Sequence, residues 1–261
     1  MVKILYQTVR PNWVPLIRYQ HVNHLKFRPH MLGVPDLHTF QNYPLIKSFQ
    51  RLPDDPYLID NYAGELATRQ RRYANYELNV KDPYTYDMRA TDKDVFEQAV
   101  SDGRRLPRQF ERVQDDVLAH EWMITFITQA GALAHLQECQ KNDICLHRSP
   151  VKKITVDLHQ IRQICYPERA AHNSPEGIHR DGADYIVSAF VVNRVNIVGG
   201  ETIIYNEDYD EVFHETLERG EGMFHEDRDQ LHYVEPIGSK GNALGIGVGF
   251  RDLFGIDITL T

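Results

Sequence analysis

The chain is poor in cysteine and has no long apolar run. Its 261 residues include three cysteines, an odd number, and no Cys-x-x-Cys pair. This spacing supports neither a disulfide framework nor a thiolate zinc site. No apolar run reaches the roughly 18 residues of a membrane-spanning helix, and residues 1–7 contain no hydrophobic region of signal-peptide length. We therefore expect a cytoplasmic protein with reduced thiols and no membrane partner.

Positive charge is also scarce. The 29 lysine and arginine residues are outnumbered by 37 aspartate and glutamate residues, which gives a net charge of −8. Because a nucleic-acid binder needs a basic surface to neutralise phosphates, this balance argues against nucleic acid as a partner. The one basic stretch, residues 69–76, interleaves arginine with tyrosine. We interpret it as a solvated or carboxylate-paired face.

The remaining composition is that of an ordinary globular chain, with 42% hydrophobic and 25% charged residues. At this length a β-rich chain often forms one domain, so we predict a single α+β domain over residues 1–261. Residues 1–150 are predicted to be a helix-rich support, and residues 151–261 the β-rich core. Within the support, a capping signal predicts a helix over residues 91–104. Apolar spacing predicts a longer helix within residues 113–136.

His179, Asp181 and His232 have the clearest chemical meaning. Two histidines and one carboxylate are the ligands of mononuclear non-haem Fe(II) oxygenases, in which the other coordination positions stay open for chemistry. His179 and Asp181 are two residues apart, so an extended strand would present both on one side. His232 begins a short predicted strand that ends at Pro236. If that strand folds back beside the first, the three residues meet at one metal.

Three alternatives to an iron site at His179, Asp181 and His232 need to be compared with it. His-Arg-Asp also occurs in the protein-kinase catalytic loop, but here Ile186 replaces the asparagine of that loop, and no glycine-rich phosphate loop precedes it. A second His-x-Asp, at His225 and Asp227, has only His232 after it and does not repeat the long spacing. A hydrolytic zinc site accepts the same ligand types and stays open as an alternative.

Residues 243–251 predict a co-substrate. Alternation places the apolar residues of this segment on one face and three glycines on the other, together with Arg251. Glycine weakens a strand, so a row of glycines suggests that a ligand approaches the backbone closely. Arg251 is placed to clamp a carboxylate through a bidentate pair. A dicarboxylate with one end on iron fits both features, and we predict 2-oxoglutarate together with O2.

The strand predicted over residues 154–164 suggests substrate contacts. Every second residue from Ile154 to Leu158 is apolar, and Gln160 and Arg162 continue the same face. A barrel interior that opens into a site has this pattern, and so does a strand end that emerges into water. In the first case, Arg162 would hold the α-carboxylate of an amino acid, with Gln160 as a neighbouring hydrogen-bond partner.

Four segments carry a family resemblance: PEGIHRDG at 175–182, NRVNIVGGE at 193–201, LHYVEPI at 231–237 and GFR at 249–251. They resemble the L-isoleucine 4-hydroxylase group of 2-oxoglutarate/Fe(II) dioxygenases, which includes bacterial proteins linked to biofilm and motility. The resemblance is specific over about residues 152–258 and diffuse before them.

The resemblance implies a double-stranded β-helix, or jelly roll, with iron on His179, Asp181 and His232. It also implies that Arg251 binds the distal carboxylate of 2-oxoglutarate. The implied reaction is hydroxylation of a free aliphatic L-amino acid, with release of succinate and CO2. The alternative from another class is a non-catalytic sensor of iron or 2-oxoglutarate in stress or biofilm signalling, which would bind 2-oxoglutarate without consuming it. The oligomeric state does not follow from the sequence.

Overall fold

The computed structural model describes residues 6–57, 67–99, 105–241 and 247–261. The helices are α1 (Trp13–Leu16), α2 (Tyr43–Lys47), α3 (Asp115–Leu118) and α4 (Glu121–Lys141), with short 3₁₀ turns at Pro29–Leu32, Phe40–Asn42, Ser48–Arg51 and Leu146–Arg148. The strands are β1 (Tyr6–Val9), β2 (His24–Phe27), β3 (Arg69–Asp82), β4 (Thr85–Ala90), β5 (Val95–Ala99), β6 (Arg105–Gln109), β7 (Lys153–Cys165), β8 (Tyr185–Val195), β9 (Ile197–Gly199), β10 (Glu201–Tyr205), β11 (Glu211–Thr216), β12 (Gly222–Glu226), β13 (Leu231–Val234), β14 (Ile237–Ser239) and β15 (Gly249–Leu260).

Two layers of antiparallel sheet form a jelly roll, which confirms the predicted fold class. The larger sheet has eight strands in the order β1-β4-β3-β7-β15-β8-β12-β2. Shorter sheets, β11-β10-β13 and β14-β9, make up the second layer. Ile204 of β10 packs on Ala189 and Val191 of β8 and on Met223 of β12, so apolar side chains join the two layers.

Helix α4, the longer helix that apolar spacing predicted, covers the outer face of the larger sheet. His120 caps its start, because the ring Nδ1 accepts a hydrogen bond from the Trp122 backbone N–H at 3.2 Å. Trp122 then packs on Phe190 and Phe254, whose ring centroids lie 5.4 and 6.3 Å away. In this way the helix fixes which face of β7, β8 and β15 points away from the second layer. No helix among the described residues is long and apolar enough to cross a membrane.

The N-terminal part is less helical than the sequence suggested. Residues 95–99 form strand β5, paired with β6, so the helix predicted over residues 91–104 is wrong for the part that the structure describes. Phe96 of β5 packs on the rings of Tyr73 and His159, and these tertiary contacts outweigh the local capping signal. Strands β1, β3 and β4 also join the larger sheet, so its strands come from both sides of residue 150.

The chain turns a corner at Gly199 and Gly200. Strand β8, which precedes the corner, belongs to the larger sheet, and strand β10, which follows it, belongs to the second layer. Both glycines have positive φ, 75° and 76°, and a Cβ on Gly199 would collide with the carbonyl oxygen of Pro236. The corner carries the chain from one layer to the other and so helps to enclose the space between them.

Candidate metal centre

His179, Asp181 and His232 converge at the edge of the space between the layers. His179 and His232 exchange backbone hydrogen bonds, at 3.1 and 2.9 Å, as an isolated antiparallel bridge. Asp181 places Oδ1 3.6 Å from Nε2 of His179 and Oδ2 3.6 Å from Nε2 of His232. One ligand atom from each of the three residues lies within 4.8 Å of the others. The predicted meeting of the three residues is thus observed.

The segment that contains His179 and Asp181 is held by a buried acid rather than by a strand. The sequence predicted a strand here, but the segment is irregular between Gly177 and Gly182, which both have positive φ. Asp227 accepts backbone hydrogen bonds from Asp181, Gly182 and Ala183 at 3.1, 2.7 and 3.0 Å. Asp227, noted in the sequence only as part of the weaker His-x-Asp, therefore positions the candidate ligand loop.

The histidine nitrogens are arranged to bind a divalent metal. Nδ1 of His179 lies 2.8 Å from the Gly177 carbonyl oxygen, to which it donates, so Nε2, which faces Asp181, is the ring nitrogen available to a metal. Nε2 of His232 faces the same carboxylate. Two imidazole nitrogens and one carboxylate suit Fe(II) and also Zn²⁺. The residues present thus fit the metal that the sequence predicts.

The charges of the site favour a bound cation. Burial lowers the pKa of His179, but the hydrogen bond and negative charge of Asp181 outweigh it and raise that pKa to about 9. Burial lowers the pKa of His232 to about 4. Burial opposes ionisation of Asp181, yet both histidines hold its pKa below the usual range. Without a metal, the carboxylate therefore retains a proton on His179, at the position that a divalent cation would take.

A cavity of about 320 Å³ opens beside the three residues. Its walls combine aromatic, cationic and acidic side chains with a few apolar ones. They include Tyr57, Phe96, Arg69, Arg71, Arg108, His159, Ile161, Glu176, Val187, Ser188, Gly255 and Asp257. Most of these belong to the inner face of the larger sheet, so a molecule in the cavity would lie between that sheet and the candidate metal.

Arginines of β3 contribute to this cavity, although the sequence suggested a solvated or carboxylate-paired face. Arg69 fits the second description, because its Nε lies 2.7 Å from Oδ2 of buried Asp55. Arg71 fits neither. It is buried, and its guanidinium lies over the ring of Phe110 at 4.4 Å. Burial and the nearby charge of Arg69 lower the pKa of Arg71 to about 10.

A hydrogen-bonded chain runs from Arg71 through His159 to Asp257. Nη2 of Arg71 lies 2.7 Å from Nδ1 of His159, and Nε2 of that ring lies 3.3 Å from Oδ2 of Asp257. Arginine only donates, so Nδ1 must accept and the ring proton must sit on Nε2. Burial and the charge of Arg71 lower the pKa of His159 well below its usual value, so the ring is neutral. Burial raises the pKa of Asp257 well above its usual range.

Sequence reasoning missed this series of hydrogen bonds, because Arg71, His159 and Asp257 are each unremarkable residues when considered alone. Its one available signal was polar alternation: His159 and Asp257 each stand on the face of a strand opposite the apolar residues.

Arg251 is fully buried at the start of β15. Its Nε donates to Oε1 of Gln163 at 2.8 Å, and Nη1 donates to the carbonyl of Gly200 at 3.1 Å. Nη2 has no hydrogen-bond partner among the described residues. Burial and the charge of Arg194 lower the pKa of Arg251 to about 9. Arg251 shares a face of β15 with Gly255 and Asp257, but it is not among the residues that line the cavity.

Gly247 and Gly249, the two described glycines of the row before Arg251, have another cause than the one predicted. Residues 242–246 lie outside the described residues, and this includes Leu244, Gly245 and Ile246. A Cβ on Gly247 would lie 2.7 Å from Nδ2 of Asn196, and one on Gly249 would lie 2.9 Å from Sγ of Cys165. The protein's own atoms, including the backbone carbonyl oxygen of Asn196 beside Gly249, make these close approaches, rather than a ligand. Val248, one of the apolar residues of this segment, is 52% exposed.

Arg162 and Gln160 do not reach the cavity. Arg162 forms a bidentate pair with Asp252, at 2.7 and 2.9 Å, and Gln160 donates to Oγ of Ser48 at 2.6 Å. Strand alternation was identified correctly, but α4 covers the even-numbered face of β7, so the odd-numbered His159 faces the cavity instead. The structure does not support a substrate role for Arg162 or Gln160, and we do not propose one.

Comparisons with known proteins identify the family. A family model described as 2OG-Fe dioxygenase matches residues 46–257. The chain belongs to this family. As a 2-oxoglutarate-dependent dioxygenase it uses Fe(II), 2-oxoglutarate and O2, which confirms the predicted cofactors.

A curated relative supports the predicted resemblance. The 3(1)-hydroxy-L-isoleucine 4-dioxygenase of Pantoea ananatis (strain AJ13355) is 27% identical over 106 residues, which are 40% of this chain and 41% of that protein. The match thus spans about two fifths of the relative.

Solved structures share the fold. IDO from Bacillus thuringiensis has a TM-score of 0.67 at 20% identity, over 95% of this chain and 98% of that one. A bsmA homologue from Methylobium petroleophilum PM1 has a TM-score of 0.72 at 17% identity, over 93% and 90%. The Fe(II)/α-ketoglutarate-dependent dioxygenase TqaL has a TM-score of 0.65 at 14% identity, over 94% of this chain and 84% of that one.

Proposed function

We propose that this dioxygenase hydroxylates a free L-amino acid, with Fe(II) held by His179, Asp181 and His232. The observation that carries the proposal is the convergence of these three side chains beside a cavity large enough for a small molecule. Fe(II), 2-oxoglutarate and O2 supply the oxidation: one oxygen atom enters a C–H bond of the substrate, the other enters succinate, and CO2 leaves.

The amino-acid substrate is proposed from the curated relative, whose name states that it acts on a hydroxylated L-isoleucine. A small aliphatic substrate also suits the cavity, because Ile161 and Val187 form part of its wall. The polar groups nearby suit a molecule with charged ends.

Other residues of the site hold the metal ligands in position. Gly177 fixes the ring of His179 through its carbonyl, and Asp227 holds the backbone around Asp181. These contacts keep the ligand side chains in position before a metal arrives, which lowers the ordering cost of binding. We propose that Arg251 binds the distal carboxylate of 2-oxoglutarate, because its buried Nη2 lacks a partner in the described part of the chain.

The test is mass spectrometry of a panel of free L-amino acids incubated with the protein, Fe(II), 2-oxoglutarate, ascorbate and air. We expect one amino acid to gain one oxygen atom, with succinate formed in equal amount. Asp181→Ala is the control and should abolish turnover, since removing the carboxylate breaks the ligand set. Full activity in Asp181→Ala would refute the assignment of the metal site.

The same assay separates the alternatives. A sensor would bind 2-oxoglutarate without releasing succinate. A zinc hydrolase would remain active when oxygen is removed. Succinate release without an oxidised amino acid would keep the dioxygenase and reject the amino-acid substrate.

A further inference from the structure

The cavity is lined by a buried cation that has no counter-ion in the described part of the chain and by a buried acid, neither of which the metal site uses. Arg71 of β3 and Asp257 of β15 both line it, and they are only 7% and 8% exposed. They stand on opposite sides of the His159 ring, in contact with Nδ1 and Nε2. The guanidinium of Arg71 and the carboxyl group of Asp257 therefore stand on either side of one ring.

Arg71 lacks a counter-ion among the residues that the structure describes. Its Nε is buried without a hydrogen-bond partner, and its Nη2 contacts a neutral imidazole. Neighbouring Arg69, by contrast, is paired with the carboxylate of Asp55. A buried guanidinium is costly unless an anion pairs with it. The cavity side of Arg71 therefore suits an anionic group on a ligand.

Asp257 is in the complementary position. In the described part of the chain, its polar contact at ion-pair distance is Nε2 of His159, which is neutral and reaches Oδ2 alone. Because Nδ1 accepts a hydrogen bond from Arg71, the ring can donate only one hydrogen bond, from Nε2, to Asp257. A ligand group that donates hydrogen bonds and carries positive charge would complete the contacts of Asp257 and favour its ionised form, which burial otherwise disfavours.

We propose that Arg71 binds the α-carboxylate and Asp257 the α-ammonium group of the substrate, so that the site selects amino acids with both α groups free. This inference rests on the proposed function. The ring of His159 sets the separation of Arg71 and Asp257. The α-carboxylate and the α-ammonium group of one amino acid are separated by about the same distance as the two nitrogens of that ring, so one amino acid can contact both residues. With those groups at the larger sheet, the substrate side chain extends toward the three candidate metal ligands in the same cavity. Amino-acid amides and 2-hydroxy acids each lack one of the required groups, and residues within peptides lack both.

The first test compares analogues on the wild-type protein and so needs no substitution. The probes are L-isoleucine, L-leucine and L-methionine, each with its carboxamide and its 2-hydroxy acid. Binding is measured by calorimetry on protein loaded with Ni(II) and 2-oxoglutarate under argon, so that no turnover occurs. Since a hydrogen bond to a charged group contributes enough to change Kd by about 10- to 100-fold, each analogue should bind weaker than its amino acid by that factor.

The second test assigns each residue. In Arg71→Gln, the amino acid and its amide should bind equally weakly, whereas the preference over the hydroxy acid remains. In Asp257→Asn, the amino acid and hydroxy acid should become equivalent. Binding of 2-oxoglutarate should be unchanged in both. The matched control is Arg72→Gln, on the same strand with its guanidinium paired to Glu111, which should bind as wild type does. Arg71→Met, which also removes the charge, replaces Arg71→Gln if the latter does not fold.

Each outcome has a distinct meaning. Equal binding of amino acid, amide and hydroxy acid to wild type would overturn this inference and leave the dioxygenase intact. Weakened 2-oxoglutarate binding in Arg71→Gln would assign Arg71 to the co-substrate and also overturn it. If no free amino acid binds wild type while succinate is released only with substrates that are not free amino acids, the amino-acid function fails together with the inference.

Discussion

Binding of 2-oxoglutarate should depend on Arg251. The guanidinium is completely buried, two of its nitrogens hold Gln163 and Gly200, and Nη2 has no partner in the described part of the chain. An incoming carboxylate would satisfy that nitrogen and supply a counter-ion. Arg251→Gln removes the charge, so we predict weaker binding of 2-oxoglutarate with little change in the affinity for metal.

The size of the effect follows from the hydrogen bonds that the guanidinium would donate to the carboxylate. Hydrogen bonds to charged groups contribute about 1.5–3 kcal/mol, so their removal should raise the Kd for 2-oxoglutarate by about 100-fold. At a concentration near 100 times its Kd, 2-oxoglutarate should stabilise the wild-type protein by about 2.7 kcal/mol, a rise in Tm of roughly 5–10 °C. At the same concentration the variant should gain only about 0.4 kcal/mol, or roughly 1 °C.

The assay is thermal unfolding of Ni(II)-loaded protein under argon, with and without 2-oxoglutarate. The change in Tm on adding 2-oxoglutarate is compared rather than Tm itself, because the variant also leaves the buried oxygens of Gln163 and Gly200 without their donor. Arg72→Gln serves as the matched control. An undiminished 2-oxoglutarate shift in Arg251→Gln would refute the reasoning.

Three further predictions concern the loop, the cavity and pH. Asp227→Asn should weaken Ni(II) binding by about 10- to 100-fold in calorimetry, because the amide no longer accepts from all three backbone N–H groups; unchanged affinity would exclude the positioning role. Gly255→Ala should leave Tm nearly unchanged, since its Cβ would lie 3.7 Å from that of His159, but should shift oxidation toward smaller amino acids, as product ratios would report. The raised pKa of His179, about 9 in the metal-free protein, means that its proton must leave when metal binds, so the Kd for Ni(II) should fall about tenfold per pH unit between about pH 7 and 9. The raised pKa of His179 also stabilises the metal-free fold. This contribution is complete below the unfolded-state pKa of about 6.5 and is lost as the pH rises through about 9. Thermal unfolding of metal-free protein across this pH range would detect the loss.

Much of the candidate metal site was predictable because its signal is local or uses simple spacing. His179 and Asp181 are two residues apart, and the strand that contains His232 is short and ended by Pro236. The long helix α4 also followed from apolar spacing. By contrast, the helix predicted over residues 91–104 failed, because Phe96 packs on Tyr73 and His159, which are distant in sequence.

The substrate side of the cavity illustrates what alternation cannot decide. In β7 the two faces were separated correctly, but nothing within residues 154–164 says which face α4 covers. The same limit explains Arg71: an arginine within a basic run is usually solvated, and only the approach of Phe110, His159 and Asp257 makes it a buried cavity residue.

The sequence by itself determined the chemistry: the metal-ligand types, their order and the family to which the chain belongs. These depend on which side chains are present and on short spacings that backbone geometry converts directly into shared orientation. Only the tertiary structure decided which residues surround the candidate iron site, because that depends on which face of each strand the helix covers. The Arg71–His159–Asp257 chain joins strands from opposite ends of the sequence, and burial between two layers is what turns three ordinary polar residues into a candidate binding site.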